Sequence, residues 1–101
     1  MSSYLAPLPP NRPRFIHVTF FWNELPKITE LEEPVFNIAI DWIRYTQDCW
    51  IVYTTTGADW WYERIRHHMT KADRVFICEL NMKDKAGWLD QWIWDWLIKT
   101  R

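Results

Sequence analysis

The sequence predicts an α+β domain, a sheet whose strands alternate with helices. Three observations carry that reading. Strand-like segments rich in β-branched and aromatic residues occur over residues 14–22, 49–55 and 75–82. Segments with apolar residues at helical spacing follow them, over 34–46, 56–70 and 88–98. The chain has 101 residues, of which 49% are hydrophobic and 25% charged, the size and balance of one folded domain.

The elements follow in order. Residues 1–13 contain Pro7, Pro9, Pro10 and Pro13, which lack amide donors and resist helix, so a flexible Pro-rich arm is expected. A single domain then spans residues 14–101. In 14–22, Ile16, Val18, Phe20 and Trp22 share one side, and Phe15, His17, Thr19 and Phe21 the other. Both sides are largely apolar, as in a central strand. Residues 23–33 read as an acidic loop with Pro26 and four Glu.

Pro34 suits the first turn of a helix, so the spacing of Val35, Ala39 and Trp42 beside Phe36, Ile40 and Ile43 predicts a helix over 34–46. The run CWIVYTT predicts the second strand. Thr56 and Asp59 have capping-box spacing, and Ala58, Trp61, Tyr62, Ile65 and Met69 share a face of the next helix. Residues 71–74 turn into the third strand, and 83–85 form a charged loop. The final helix is expected to present Trp88, Leu89, Trp92, Ile93, Trp96 and Leu97. The pattern fits a small α/β layer, or most of a ferredoxin-like sheet with a weak edge strand around residues 45–48; periodicity does not choose between them.

Composition narrows the function classes. A formal net charge of −1 disfavours a strongly basic nucleic-acid binder. No charged segment followed by an apolar core opens the chain, and no apolar run reaches membrane-spanning length, so a soluble, cytoplasmic protein is expected. Cys49 and Cys78 have no CxxC spacing and read as reduced core thiols. No dinucleotide fingerprint, P-loop, zincin or nucleophile-elbow motif occurs, so neither catalytic residues, a bound metal nor a cofactor is expected.

Six groups of residues bear on the chemistry. Glu63 and His67 share a helix face, but two ligands fall short of a catalytic zinc site, and a surface charge pair is the ordinary reading. His17, on a strand amid aromatics, reads as a satisfied core or interface histidine. Trp60, Arg64, His67, Lys71 and Arg74, with Arg66 and His68 among them, make the one local excess of positive charge; a nucleic-acid backbone with a base stacked on Trp60 would fit it. The chain has nine Trp, more than a small core uses. Trp88, Trp92, Trp94, Trp96 and Ile98 make the last helix apolar around most of its circumference, which points to a dimer or partner interface. The carboxylates, including Glu30, Glu32, Glu33, Asp90 and Asp95, form no pair at acid–base spacing. Thr54-Thr55-Thr56-Gly57 lacks the Lys and most of the glycines of a phosphate loop.

The stretches Cys49-Trp50-Ile51-Val52, Glu63-Arg64-Ile65-Arg66, Ala72-Asp73-Arg74-Val75-Phe76-Ile77 and Ala86-Gly87-Trp88-Leu89, with a closing Trp-x-Trp-Leu at 94–97, resemble the small bacterial SinR-like proteins. These are similar in fold to the CRISPR-associated adaptation endonucleases. The likeness covers about half the chain, the C-terminal half. It implies a ferredoxin-like sheet, two helices on one face and a homodimer. In the endonucleases an Asp closing the first strand helps hold a metal at the dimer seam. Here that strand ends Phe20-Phe21-Trp22-Asn23, with no carboxylate before Glu24, so the resemblance does not carry nuclease chemistry across.

Together these readings predict a ferredoxin-like β-α-β-α-β sandwich with an added Trp-rich C-terminal helix. The expected function is a small, dimeric, non-catalytic binding or interaction module, with a protein partner beyond the second copy left open. The alternatives are a nucleic-acid-binding protein or a degenerate metal-dependent nuclease.

Overall fold

The computed structural model describes residues 12–101. The expected Pro-rich arm lies outside the described residues but for Arg12 and Pro13. Strand β1 spans Arg14–Phe21, followed by a short helix α1, Ile28–Glu32, and a 3₁₀ turn, Phe36–Ile38. Strands β2, Asp41–Thr46, and β3, Cys49–Thr54, form a hairpin. Helix α2, Ala58–Ile65, runs into a 3₁₀ turn, Arg66–His68; strand β4, Arg74–Glu79, and helix α3, Gln91–Ile98, complete the chain.

The four strands make one sheet in the order β2-β3-β1-β4, with every neighbouring pair antiparallel. Strands β1 and β2 are therefore parallel with β3 between them, and β3 and β4 are parallel with β1 between them. Each β-α-β unit thus straddles a third strand. Residues Gln47 and Asp48 turn the β2–β3 hairpin, and the register slips between Arg44↔Trp50 and Thr46↔Cys49. Tyr45 is the extra residue of that bulge, a feature that re-aims side chains.

The helix expected over 34–46 is replaced by a helix before Pro34, a 3₁₀ turn and a strand. Pro34 has no N–H to continue the i→i−4 ladder, and α1 accordingly ends at Glu32, with Glu33, still in right-handed helical geometry, as its C-cap. The expected acidic loop over 23–33 holds that helix. Trp42, Ile43 and Tyr45 are as suited to a strand as to a helix, and the exposed edge of β3 decides in favour of the strand. The edge strand thus exists, but over Asp41–Thr46 rather than 45–48. Helix α2 starts after Gly57 with no side-chain cap. Gly57 rather than Thr56 occupies the N-cap position, and the Thr56 hydroxyl lies 3.0 Å from that of Thr54.

One face of the sheet carries Ile16, Val18 and Phe20 of β1 with Trp50 and Val52 of β3. They pack with Leu31, Val35, Phe36, Trp61 and Ile65 into a fully apolar core. Aromatic rings organise it: Phe36 stacks on Trp50 at 5.1 Å and on Trp61 at 6.2 Å, and Phe20 meets Trp50 edge-on at 5.3 Å. The buried Trp50 indole donates to Glu32 Oε2 (3.1 Å), which also accepts from Arg44 Nε (3.0 Å), so one carboxylate ties α1 to β2 and β3.

The opposite face holds a smaller cluster: Ile43 of β2, Ile51 of β3 and Ile93 of α3, flanked by Phe15, Trp96 and Leu97. Arg101 pins this layer. Its guanidinium lies 4.4 Å from the Trp96 ring centroid and 5.0 Å from that of Tyr53, and donates to Asp41 Oδ2 (3.1 Å). Lys99 reaches the same oxygen at 3.3 Å. Burial opposes ionisation of Asp41, but Lys99, the Trp42 N–H and Arg101 together hold its carboxyl below the usual range.

Candidate functional site

Helix α3 covers only the half of its sheet face that holds Phe15, Tyr53, Ile43 and Ile51. The register places His17 beside Cys78, and Thr19 between Cys49 and Phe76, on the other half. There the polar and nucleophilic side chains gather. His17 Nε2 shares a short hydrogen bond with the Tyr45 hydroxyl, which the β2 bulge positions. Thr19 Oγ1 lies 3.1 Å from Cys49 Sγ. Burial pushes the Tyr45 phenol above its ordinary value, and the nearby Cys49 and Cys78 add to the shift. Burial also holds the His17 imidazole below its ordinary 6.5.

Between this half-face and α3 lies a cleft of about 430 Å³. His17, Tyr45 and Ile51 belong to its floor on the sheet. Leu89 and Trp94 come from the α3 side, and Met82, Asp84, Lys85 and Ala86 from the loop after β4. Clefts of this size, apolar with a few convergent polar groups, are the usual form of a small-molecule site. Beyond the cleft the face opens fully: Phe21 and Phe76, diagonal neighbours on β1 and β4, are 59% and 58% exposed.

The two cysteines are free and half-buried on this open half, not core residues. They sit two strands apart and two residues out of register, about 12 Å between Cα atoms from ordinary sheet spacings. That exceeds the roughly 7 Å a disulfide spans.

The structure splits the expected aromatic interface. Trp96 packs edge-on against Phe15 at 5.8 Å, and Trp94 lines the cleft. Trp88 precedes α3 and is 100% exposed, while Trp92 and Ile98 are also exposed. Trp88 and Trp92 therefore do not belong to the buried face of α3, which Ile93, Trp96 and Leu97 form. Trp92 and Ile98 point about 120° apart around the helix, because six steps of about 100° separate them.

The expected basic cluster divides as well. Trp60, Arg64 and His67 line one shallow groove with Glu63, and Arg64 lies over the Trp60 ring at 4.3 Å. Lys71 and Arg74 line the neighbouring groove with Tyr62 and Arg66. Glu63 accepts from Arg66 (3.0 Å), with which it is paired instead of His67. Arg74 is turned onto the carbonyls of Lys71 and Asp73.

Asp73 is a buried acid that no sequence motif marks. It accepts from the Asn23 N–H (3.0 Å) and the Thr70 N–H (2.9 Å), and Lys27 stands 3.8 Å away. These donors, Asn23 first, hold its carboxyl below the usual range. Its work is to tie the loops after β1 and before β4 together. Asn23 is thus engaged through its backbone, and Glu24 stands exposed.

Among the described residues no group of three or more His, Cys, Asp or Glu has metal-holding geometry, and no helix is long and apolar enough to cross a membrane. No protein-family model, no curated protein and no solved structure matches the chain.

Proposed function

We propose that the protein is a small, non-catalytic binding module of ferredoxin-like architecture that acts as a homodimer. The strand order, with two β-α-β units each straddling a third strand, supports the ferredoxin-like reading and with it the resemblance to the SinR-like proteins.

The observation that carries self-association is the open half of the sheet face. Two phenylalanines stand more than half exposed and adjacent there, beside half-buried Thr19, Cys49 and Cys78. A contiguous exposed apolar patch on a small protein marks an interaction surface. A second copy is the occupant that suits it. A two-fold contact sets the same patch against itself, so the sheets stack face to face at about 10 Å with phenylalanine meeting phenylalanine. A net charge of −1 gives two copies little long-range repulsion.

Light scattering tests this. The wild-type chain is expected at twice its monomer mass and Phe76→Glu at monomer mass, with an unchanged circular dichroism spectrum. A wild-type monomer at tens of micromolar overturns the reading. Dissociation by Trp92→Glu but not by Phe76→Glu moves the interface to α3.

A further inference from the structure

We propose that the outer edge of β4 is the docking site for an extended peptide segment of a partner protein, one that carries a basic, an apolar and an acidic residue at alternate positions. The proposal rests on the binding-module reading but not on self-association, because the site is built within one chain, at a sheet edge.

The first observation is the free main chain. Strand β4 ends the strand order, and its register with β1 is unbroken. The Leu80 N–H bonds the Phe15 carbonyl at 2.9 Å, which sets the alternation along the pair. Arg74, Phe76 and Cys78 turn their N–H and C=O groups to β1, and Val75, Ile77 and Glu79 turn theirs outward. No group among the described residues bonds the outward main chain of Val75 or Ile77. The other edge strand, β2, carries a bulge, whereas β4 has neither bulge nor proline, and its residues between Arg74 and Glu79 are uncharged. Such an edge is a template for a further strand.

The second is a groove along that edge. Ala58, Asp59 and Tyr62 of α2 face Val75 and Ile77 across about 250 Å³. Past Tyr62 and Val75 lies a larger groove of about 420 Å³, lined also by Lys71 and Arg74. Side chains alternate along a strand, so Val75, Ile77 and Glu79 share the face toward α2, as would the residues paired with them in an added strand.

The third is the order of charge. Asp59 stands at the end of the groove beside Ile77, and Lys71 and Arg74 at the other end. An antiparallel segment, the slightly more stable pairing, meets that order as basic, apolar and acidic residues opposite Glu79, Ile77 and Val75 in turn.

A lone segment suits the edge better than a second copy does. Among the strands, α2 packs most closely on β4. Paired strands lie about 4.8 Å apart and packed helices need about 8–10 Å, so two copies joined at β4 would crowd their α2 helices.

The probe is acetyl-Thr-Lys-Thr-Ile-Thr-Glu-Thr-amide. Two-dimensional NMR titration of the intact protein is expected to give saturable shifts at the Val75 and Ile77 amides. N-methylation of the probe's Ile and Glu, whose N–H groups meet β4, is expected to weaken binding about tenfold. N-methylation of the Thr residues on either side of Ile, whose N–H groups point away, is expected to leave binding within about twofold. Lys71→Glu, at an exposed turn, is expected to weaken the probe about threefold and to strengthen binding of a form with Lys in place of Glu. Val75→Pro removes an outward N–H without breaking the ladder to β1 and is expected to abolish binding. If it does not fold, Lys71→Glu and the two N-methyl patterns carry the test. The proposal is overturned if the probe gives no saturable shifts at millimolar concentration, if both N-methyl patterns weaken binding equally, or if Lys71→Glu leaves both probes unchanged. It is also overturned if the wild type is a dimer that Val75→Pro splits, which gives the edge to a second copy. A wild-type monomer that binds the probe in this way supports the peptide site and removes only self-association.

Discussion

The sheet face that carries Ile16, Val18 and Trp50 is sealed by α1, a 3₁₀ turn and α2, with those residues fully buried. The face that carries Phe15, His17 and Cys49 is covered over half its extent by α3. The residue types follow the cover. The sealed face holds aliphatic and aromatic side chains; its Trp50 indole has a partner, while the buried Trp61 indole N–H has none among the described residues. The half-covered face mixes His17, Thr19, Cys49, Cys78 and Tyr45, polar or polarisable groups that tolerate partial solvation, with the exposed Phe21 and Phe76. A sealed layer favours close packing, and a half-covered one leaves hydrogen-bonding groups for something else to meet.

The two faces also differ in how they are fastened. On the sealed side, rings interdigitate. On the other side a short helix is held by one small isoleucine cluster and by Arg101, which is stacked on rings and paired with Asp41. Four measurements sharpen this comparison. Phe36→Ala, which empties the centre of the sealed core, is expected to cost about 3–5 kcal/mol in chemical denaturation. A loss below about 1 kcal/mol would mean that this face is looser than its burial indicates.

Glu32→Ala removes the acceptor of the buried Trp50 indole and is expected to cost about 1–3 kcal/mol. Glu32→Gln keeps an acceptor there and is expected to recover most of that loss. If both variants are equally destabilised, the Trp50 hydrogen bond is not what Glu32 contributes.

Arg101→Ala loosens the half-covered side. An expected cost of about 1 kcal/mol combines a cation–π contact with a charged hydrogen bond. Hydrogen exchange separates the faces: α3 amides are expected to exchange faster while those of β1 and β3 hold. Equal acceleration everywhere would show a single cooperative unit instead.

The smallest effect is a pH dependence. Burial lowers the folded His17 pKa below 6.5, so the unfolded chain binds the proton more tightly. Stability is therefore expected to fall as pH drops from about 7 through 6.5 toward the folded value, and His17→Gln is expected to flatten that slope. Asp41 and Asp73 act lower. Their folded pKa values are depressed, so their contribution is present above the ordinary 3.8 and is lost as pH falls through the folded values. Denaturation midpoints at intervals between pH 3 and 8 check both windows. A wild-type profile flat from 7 to 5 would contradict the His17 assignment.

Much of the fold was legible residue by residue. The alternation over β1 named both of its faces correctly: Ile16, Val18 and Phe20 are buried together, and Phe15, His17 and Thr19 share the other side. The CWIVYT run is β3, and Trp61 and Ile65 are the buried stripe of α2. The segment after Pro34 is ambiguous in sequence because Val35, Phe36, Ile40, Trp42 and Ile43 satisfy a helical period and a strand composition at once. Only the vacant edge of β3 separates the two.

The candidate site was less legible. His17 stands out in the sequence but its partner Tyr45 does not, because no sequence signal marks the bulge that aims it. Asp73 is not legible as a structural acid because its donors, Asn23 and Thr70, come from separate loops. The one available hint was a lone Asp among basic residues just before a strand.

What the chain determined alone is what depends on near neighbours: which residues alternate, where prolines stop a helix, and how much aromatic surface must be buried. Those follow from backbone geometry and side-chain volume at short range. Tertiary structure alone decided which tryptophans face inward, since Trp94 and Trp96 turn to the cleft and the sheet while Trp88 and Trp92 do not. It also decided that β2 is a strand and that His17, Tyr45, Cys49 and Cys78 meet on one half-face. Each of these rests on pairing between segments far apart in the chain, and the free energy of such pairing is absent from any local window.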